Sequence, residues 1–264
     1  MYQTLQSLLA DSQGGATFTC FGVWHLLYLA AIFGVILTVI FLLKNRSGEA
    51  KRRTTSAALY TAFGLYMADI FLMPFAYGEF DVEKLPFHAC TAMCLCCVLS
   101  RHNAFFARFK DQFILLGLLS NLIYVIYPAG VGWYQIHPLC YRVWQTLLYH
   151  GAMTAFGLFS LSFGEVRPKW KKCPRDLAFL CVMTVWALLG NTLYNGLNGR
   201  FFNWFFVVKD PFGLLPADLA PFVMPFLMVA VMFAGEMGIY GVCHAIGAIC
   251  RSRTQRSMTI PRKN

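Results

Sequence analysis

Charge is scarce in this chain. Asp, Glu, Lys and Arg make up 13% of its 264 residues, against about 25% in an ordinary soluble domain. That scarcity excludes a disordered chain, which needs polar and charged residues in excess. A small secreted disulfide scaffold is excluded as well. Several motifs are missing. No Walker-type phosphate loop, dinucleotide fingerprint, HExxH or GxSxG occurs, which argues against an ATPase, a nucleotide-dependent oxidoreductase, a zincin and an ordinary serine hydrolase. No internal repeat is visible, which disfavours a typical secondary transporter. Residues 1–20 hold no Lys or Arg, so they do not read as a secretory signal with a basic start.

What is abundant is apolar surface. Hydrophobic residues make up 58% of the chain, with 25 Phe, 12 Tyr and 6 Trp, and the mean hydropathy is +0.56. A membrane span needs roughly 20 apolar residues. The pattern predicts seven: 24–43, 56–77, 85–99, 113–127, 139–163, 177–197 and 219–250. This leaves no room for a second soluble domain. The expected fold is all-α, a polytopic membrane helix bundle forming one integral domain over 1–264.

The net charge of +10 would suit nucleic acid if it formed one patch. Instead, 18 of the 22 basic residues cluster at 44–53, 101–110, 167–175 and 251–263, in alternate connections. Only Lys84, Arg142, Arg200 and Lys209 fall on the other side. That alternation is topology control. It places the N-terminus (1–21) outside and the basic tail (251–264) in the cytoplasm of a multi-pass cell-membrane protein. The expected partners are membrane lipids, with homo-oligomer assembly left open and nucleic acid excluded. The connection 198–218 carries Phe201, Phe202, Trp204, Phe205 and Phe206, and is expected at the interface or folded over the bundle.

Polar groups inside spans are costly and so are functional candidates. Most fall in the outer half: His25, Asp69, His88, Arg142, Gln145, Asn191 and Asn195. Asn121 and His150 lie near mid-span. Eight residues at about 1.5 Å each put His150 about 12 Å below Arg142. Glu236 and His244 lie deeper, on the inner side. A shared depth across many helices suggests one outward-facing polar cavity; interhelical hydrogen bonding is the plainer explanation of any single Asn or Gln. Two histidines, with Cys90 and Thr91 beside His88, suit acyl transfer. They also suit proton relay or metal binding, and a lone buried histidine is equally a satisfied core residue.

The ten cysteines form no zinc pattern. Cys90, Cys94 and Cys97 share one helical face rather than sitting on turns, and cysteine in a span usually packs as a small apolar residue. Cys20 and Cys140 share the predicted outer side and could pair in an oxidising compartment, a pairing that sequence alone does not fix. No metal and no cofactor is expected.

Phe18-Thr19-Cys20-Phe21 before His25-Leu26, then Leu85-Pro86-Phe87-His88-Ala89-Cys90, Tyr149-His150-Gly151 and Asn203-Trp204-Phe205 followed by Lys209-Asp210-Pro211 resemble, in order, the YwaF-type bacterial integral membrane proteins. That family is more distantly similar to the eukaryotic transmembrane protein 164 group, described as cysteine-dependent lipid acyltransferases. The resemblance implies a membrane-embedded acyl hydrolase or acyltransferase. The eukaryotic group reads Pro-Cys-His where this chain reads Pro86-Phe87-His88, so the nucleophile position is Phe87, which has no nucleophile. His88 and His150 carry over. The expected roles are His150 as base, His88 as second acid/base or oxyanion donor, and Cys90 as nucleophile with Thr91 as substitute. Arg142 would hold a phosphate or carboxylate, and Gln145, Asn191, Asn195 and Asp69 would line the substrate site. The other reading is a non-enzymatic binder or transporter of a small anionic or lipid-like molecule.

Overall fold

A computed structural model describes residues 16–78, 80–132, 136–196 and 200–259; the side chains of residues 73, 76, 77, 129, 132 and 249–259 are not described. Among the described residues the regular structure is helical. Seven helices have 14 residues or more: α1 Val23–Leu43, α2 Gly48–Tyr77, α3 Ala89–His102, α4 Lys110–Ile126, α5 Tyr141–Ser162, α6 Cys173–Tyr194 and α7 Ala220–Thr259. Of the expected outer segment and tail, residues 1–15 and 260–264 lie outside the described residues, and 251–259 continue α7.

Four stretches are long and apolar enough to cross a membrane: Val23–Leu43, Gly48–Leu72, Trp170–Tyr194 and Ala220–Ala248. Their surfaces carry exposed Leu27, Val35, Leu37, Val182, Leu193, Phe222 and Phe226. In water such a surface would aggregate; lipid is the solvent that fits it. Against the expected seven spans, four helices satisfy length and composition together. The other three fall short for different reasons. α3 has 14 residues, about 21 Å of helix against a hydrocarbon core of about 30 Å. α4 has 17. α5 has 22, but it carries Arg142, Gln145, Thr146, His150, Thr154 and Ser160.

Local chemistry sets the boundaries. Ser47 caps α2 by accepting from the Ala50 N–H at 3.2 Å, so the helix starts before the predicted Ser56 and takes Lys51, Arg52 and Arg53 out of the loop. It ends at Gly78, whose φ of 76° is the left-handed C-terminal conformation that glycine adopts without strain. Pro86 keeps the preceding residue extended, with Leu85 at φ −61°, ψ 148°. α3 therefore starts at Ala89 rather than at 85, and His88 sits at its N-cap.

The polar helix α5 is the axis of the bundle. It packs against α1, α2 and α4, and 13 of its 22 residues are buried. Glycines allow the close approach. A Cβ on Gly157 would lie 2.6 Å from Leu118 Cβ on α4, and one on Gly151 would lie 3.1 Å from Ile32 on α1. Helix α4 follows α3 closely and buries most of its length. Helices α6 and α7 close the other side, and there Asp176 accepts from Gln112 Nε2 at 2.6 Å and from the Tyr240 hydroxyl. Cys20 holds a free thiol, so the anticipated Cys20–Cys140 bridge is absent.

Gly157→Ala forces the Leu118 backbone end of the contact to move. The expected cost is about 1–3 kcal/mol, read as a lower midpoint of thermal unfolding of the purified protein in detergent. An unchanged midpoint would show that the α4–α5 contact yields freely.

Candidate functional site

The histidines are best read through their hydrogen-bond partners, since these fix which ring nitrogen holds the proton. His25 is the simplest. Its Nδ1 accepts from the Phe21 N–H at 2.9 Å, and its Nε2 donates to the Val125 carbonyl at 2.9 Å. Both nitrogens are used and the residue is fully buried, so it ties α1 to α4 and has no chemistry left.

His150 differs. Asn121 Nδ2 donates to the Gly117 carbonyl at 2.7 Å, which turns its Oδ1 to His150 Nδ1, 2.7 Å away. An amide oxygen only accepts, so Nδ1 carries the proton and Nε2 keeps its lone pair. The ring is held by Tyr124, stacked on it at 4.0 Å. No hydrogen bond reaches Nε2 among the described residues.

His88 is arranged the other way. The Phe205 N–H donates to its Nδ1 at 3.1 Å, so the neutral ring carries its proton on Nε2. The donor comes from the aromatic connection, which folds over the bundle: Phe202, Trp204 and Phe205 are buried, while Phe201 stays exposed. Phe205 and Phe206 have φ of 57° and 53°. Two consecutive bulky residues in the left-handed region are strained and persist only where their surroundings hold them. Asn191 is the main clamp. Its Oδ1 accepts from the Trp204 N–H at 2.9 Å and its Nδ2 donates to the Trp204 carbonyl at 3.1 Å. Asn195 Oδ1 accepts from the Phe202 N–H at 2.9 Å. Further along, the Asp210 carboxylate accepts from Phe212, Leu214 and Leu215.

The charged group in this region is one that composition did not single out. Lys84, expected only as a basic residue of an outer loop, pairs with Asp69 at 2.6 Å. Tyr149 relates this region to His150: its ring packs edge-on against His150 at 4.9 Å, and its hydroxyl reaches the first turn of α3, two residues after His88. Tyr66 donates to the Lys84 carbonyl at 2.6 Å and Tyr149 to the Cys90 carbonyl at 3.0 Å. Asp69 was the available clue: a buried carboxylate in a span requires a counter-charge. The two tyrosines gave no signal beyond being aromatic.

The remaining predicted residues are placed as follows. Cys90 is half-buried in the first turn of α3, and Thr91 donates to the His88 carbonyl at 3.1 Å. Arg142 is half-buried, and Glu83 feels its charge together with those of Lys84 and Arg200. Gln145 Nε2 donates to the Leu65 carbonyl at 3.2 Å. The amides of Gln145, Asn191 and Asn195 thus each engage a backbone group. Asp69, Asn121, Gln145 and His150 are buried, and Lys84, His88, Cys90, Thr91 and Arg142 are half-buried.

Phe87 stands where the resemblance puts a nucleophile. It stacks on Trp186 and packs against Trp204, both at 4.9 Å. Gly190 opposite leaves the space; a Cβ there would lie 2.4 Å from the Phe87 ring. Toward the other end, Glu236 is buried, and its Oε2, like Gln112 Oε1, has no partner among the described residues. His244 stacks on Trp170. Among the described residues, no group of three or more His, Cys, Asp or Glu is placed to hold a metal.

Four apolar helices of membrane-crossing length, in a bundle that also buries a polar helix, define a multi-pass membrane protein. The match to a family model makes this more specific: the TMEM164 family model covers residues 20–241, and the chain belongs to that family. No curated protein and no solved structure matches it.

Two outcomes follow for the aromatic connection. Asn191→Ala removes both hydrogen bonds to Trp204. It is expected to cost about 1–3 kcal/mol and to speed amide exchange at Trp204 and Phe205 at least tenfold; unchanged exchange would show that the packing of Trp204 alone holds the strand. Asp210 is held below the usual carboxylate range by N–H donors, that of Phe212 foremost. Since its folded value lies below the unfolded value of about 3.9, its contribution is complete above about pH 4 and is lost as the pH falls through the folded value. Proteolysis within 207–216 should rise only on acidification past that point, and Asp210→Ala should show the raised rate at neutral pH.

Proposed function

We propose that the chain is a membrane-embedded lipid acyl hydrolase or acyltransferase, with His150 as general base. The observation that carries this is the opposed tautomers of two histidines, one next to Tyr149 and the other two residues before the Cys90 carbonyl that Tyr149 bonds. Asn121 leaves His150 Nε2 as a lone pair, and the Phe205 N–H leaves His88 with a proton on Nε2. One ring is set to accept a proton and the other to donate a hydrogen bond, which is the division of labour that acyl transfer asks of its base and its oxyanion donor.

In this reading Cys90 is the nucleophile and Thr91 the substitute. The thiol gives its proton to His150 Nε2. The thiolate adds to the ester carbonyl, whose developing oxyanion accepts from His88 Nε2–H. The lysolipid hydroxyl leaves with the proton from His150, and a thioester remains. Water completes a hydrolysis; a second lipid hydroxyl completes a transfer. Arg142 holds the phosphate at the rim. Asp69 fixes Lys84, Gln145 fixes α5 against α2, and Asn191 and Asn195 fix the strand that orients His88. Family membership supports an acyl substrate only through the resemblance to the lipid acyltransferases, and the YwaF-type subgroup suits the same motifs. The basic clusters support seven crossings in the cell membrane, with the N-terminus outside.

The second reading, a non-enzymatic binder or transporter, is favoured by Phe87, whose ring occupies the family's nucleophile position.

The test is lipid mass spectrometry on membranes holding the purified protein with added phospholipid and lysophospholipid. Wild type should produce acylated or deacylated species, and His150→Ala should lower the rate at least a hundredfold while keeping the wild-type unfolding midpoint. Cys90→Ala and Thr91→Ala then separate the two nucleophiles. No covalent change to any lipid by the folded wild-type protein would sink the enzyme and leave the binder.

A further inference from the structure

The basic end of the bundle holds a feature that topology control does not require. Lys and Arg that set orientation need only lie near the ends of spans. At one place they converge. A cavity of about 520 Å³ is lined by Arg52, Arg53, Ser56 and Tyr60 from α2 and by Arg101 and His102 from the last turn of α3, with no acidic residue in its wall. Arg52, Ser56 and Tyr60 are four residues apart and share one helical face. The Tyr60 hydroxyl and His102 Nε2 meet at 2.8 Å and join the two walls.

The charges are not cancelled. Arg101 is held in a two-point pair with Glu165, at 2.7 and 3.1 Å, and Arg53 pairs with Glu49 at 2.5 Å. Arg52 is exposed and makes no hydrogen bond or ion pair among the described residues. The wall therefore keeps a net positive charge, a guanidinium with all of its donors unused, and two hydroxyl-bearing side chains. Planar guanidinium forks with hydroxyl donors are suited to phosphate oxygens. Exposed Leu99 and Phe105 flank the site in sequence, which puts apolar surface next to the charge. The proposed acyl chemistry is far away. Arg53 and Asp69 are about 24 Å apart along α2, and Cys90 and Arg101 about 17 Å apart along α3.

From this we infer that the cavity between the start of α2 and the end of α3 is a phosphate-binding site for the headgroup of an anionic lipid. The ligand chemistry is a phosphate ester, and Arg52 is its principal contact. The inference does not depend on the acyl-transfer reading.

The experiment uses the full-length protein in nanodiscs of phosphatidylcholine with a few per cent phosphatidic acid. Native mass spectrometry counts the lipids retained on release. Wild type should keep phosphatidic acid in preference to phosphatidylcholine. Arg52→Gln should lower that retention about tenfold, equivalent to about 1.4 kcal/mol, and Arg52→Lys should restore part of it. Arg46→Gln, a basic residue outside the wall, should change nothing. Loss of retained lipid on adding inorganic phosphate in millimolar amounts would support the same phosphate chemistry with a soluble source. Equal retention of the two lipids by wild type would overturn the proposal. So would Arg52→Gln binding like wild type, or Arg46→Gln losing as much as Arg52→Gln, which would mark diffuse surface attraction. Arg52 is exposed, so a variant with the wild-type unfolding midpoint is expected and keeps the comparison clean.

Discussion

A helix that carries Gln145, His150, Thr154 and Ser160 along its buried face has no place against lipid, where an unsatisfied polar group costs several kcal/mol. The architecture answers that constraint. Helix α5 is put at the axis, α1, α2 and α4 are packed around it, and glycines at positions 151 and 157 let the neighbours approach closely. Several buried polar groups are then given partners, while the Thr154 and Ser160 hydroxyls have none among the described residues. Asn121 serves His150, Leu65 serves Gln145, and Lys84 serves Asp69. The apolar helices α1, α6 and α7 are left to face the solvent they match, with Leu27, Val182 and Phe226 turned outward.

That arrangement explains which features could be read in the sequence. Long apolar runs announce themselves, so the centres of α1, α6 and α7 were legible, as was the clustering of basic residues at alternate connections. The ends were less so. Ser47 starts α2 eight residues before its apolar run, because a cap costs little sequence signal. Pro86 delays α3 and moves His88 from inside a span to its N-cap. Of the candidate site, the two histidines and Cys90 were visible as isolated groups, and the hydrogen bonds that set each ring's proton were not. Lys84 was invisible as a site residue because its partner Asp69 lies in a different helix, and pairings of that range follow from the fold rather than from local pattern. Asn191 was visible as a polar group of an outer half-span, but its task, gripping both backbone groups of Trp204, depends on a connection that returns across the bundle.

The strained pair Phe205 and Phe206 links fold to chemistry. Their left-handed backbone costs about 1–3 kcal/mol per residue, and a loop with no other duty would relieve it by carrying glycine. Here the conformation turns the Phe205 N–H onto His88 Nδ1 while Trp204 stays buried against Phe87 and Phe202. The position of a proton on one imidazole is thereby fixed by the backbone of a connection more than a hundred residues away in the chain. Asn121 does the same for His150 by a shorter route, one turn of α4 closing onto its own Gly117 carbonyl.

Phe87 is held as part of the scaffold beside His88. A cysteine at this position would need little room; a phenyl ring needs a great deal, and Gly190 supplies it, since any side chain there would enter the ring. The ring then ties α6, through Trp186, to the strand that holds His88, through Trp204. An aromatic anchor thus stands immediately before His88 in the chain. Cys90 lies on the first turn of α3 and is tied through its carbonyl to Tyr149, which packs against His150. A reaction that kept the two histidines would therefore draw its nucleophile from the helix that follows His88, while the residue that precedes it became part of the scaffold.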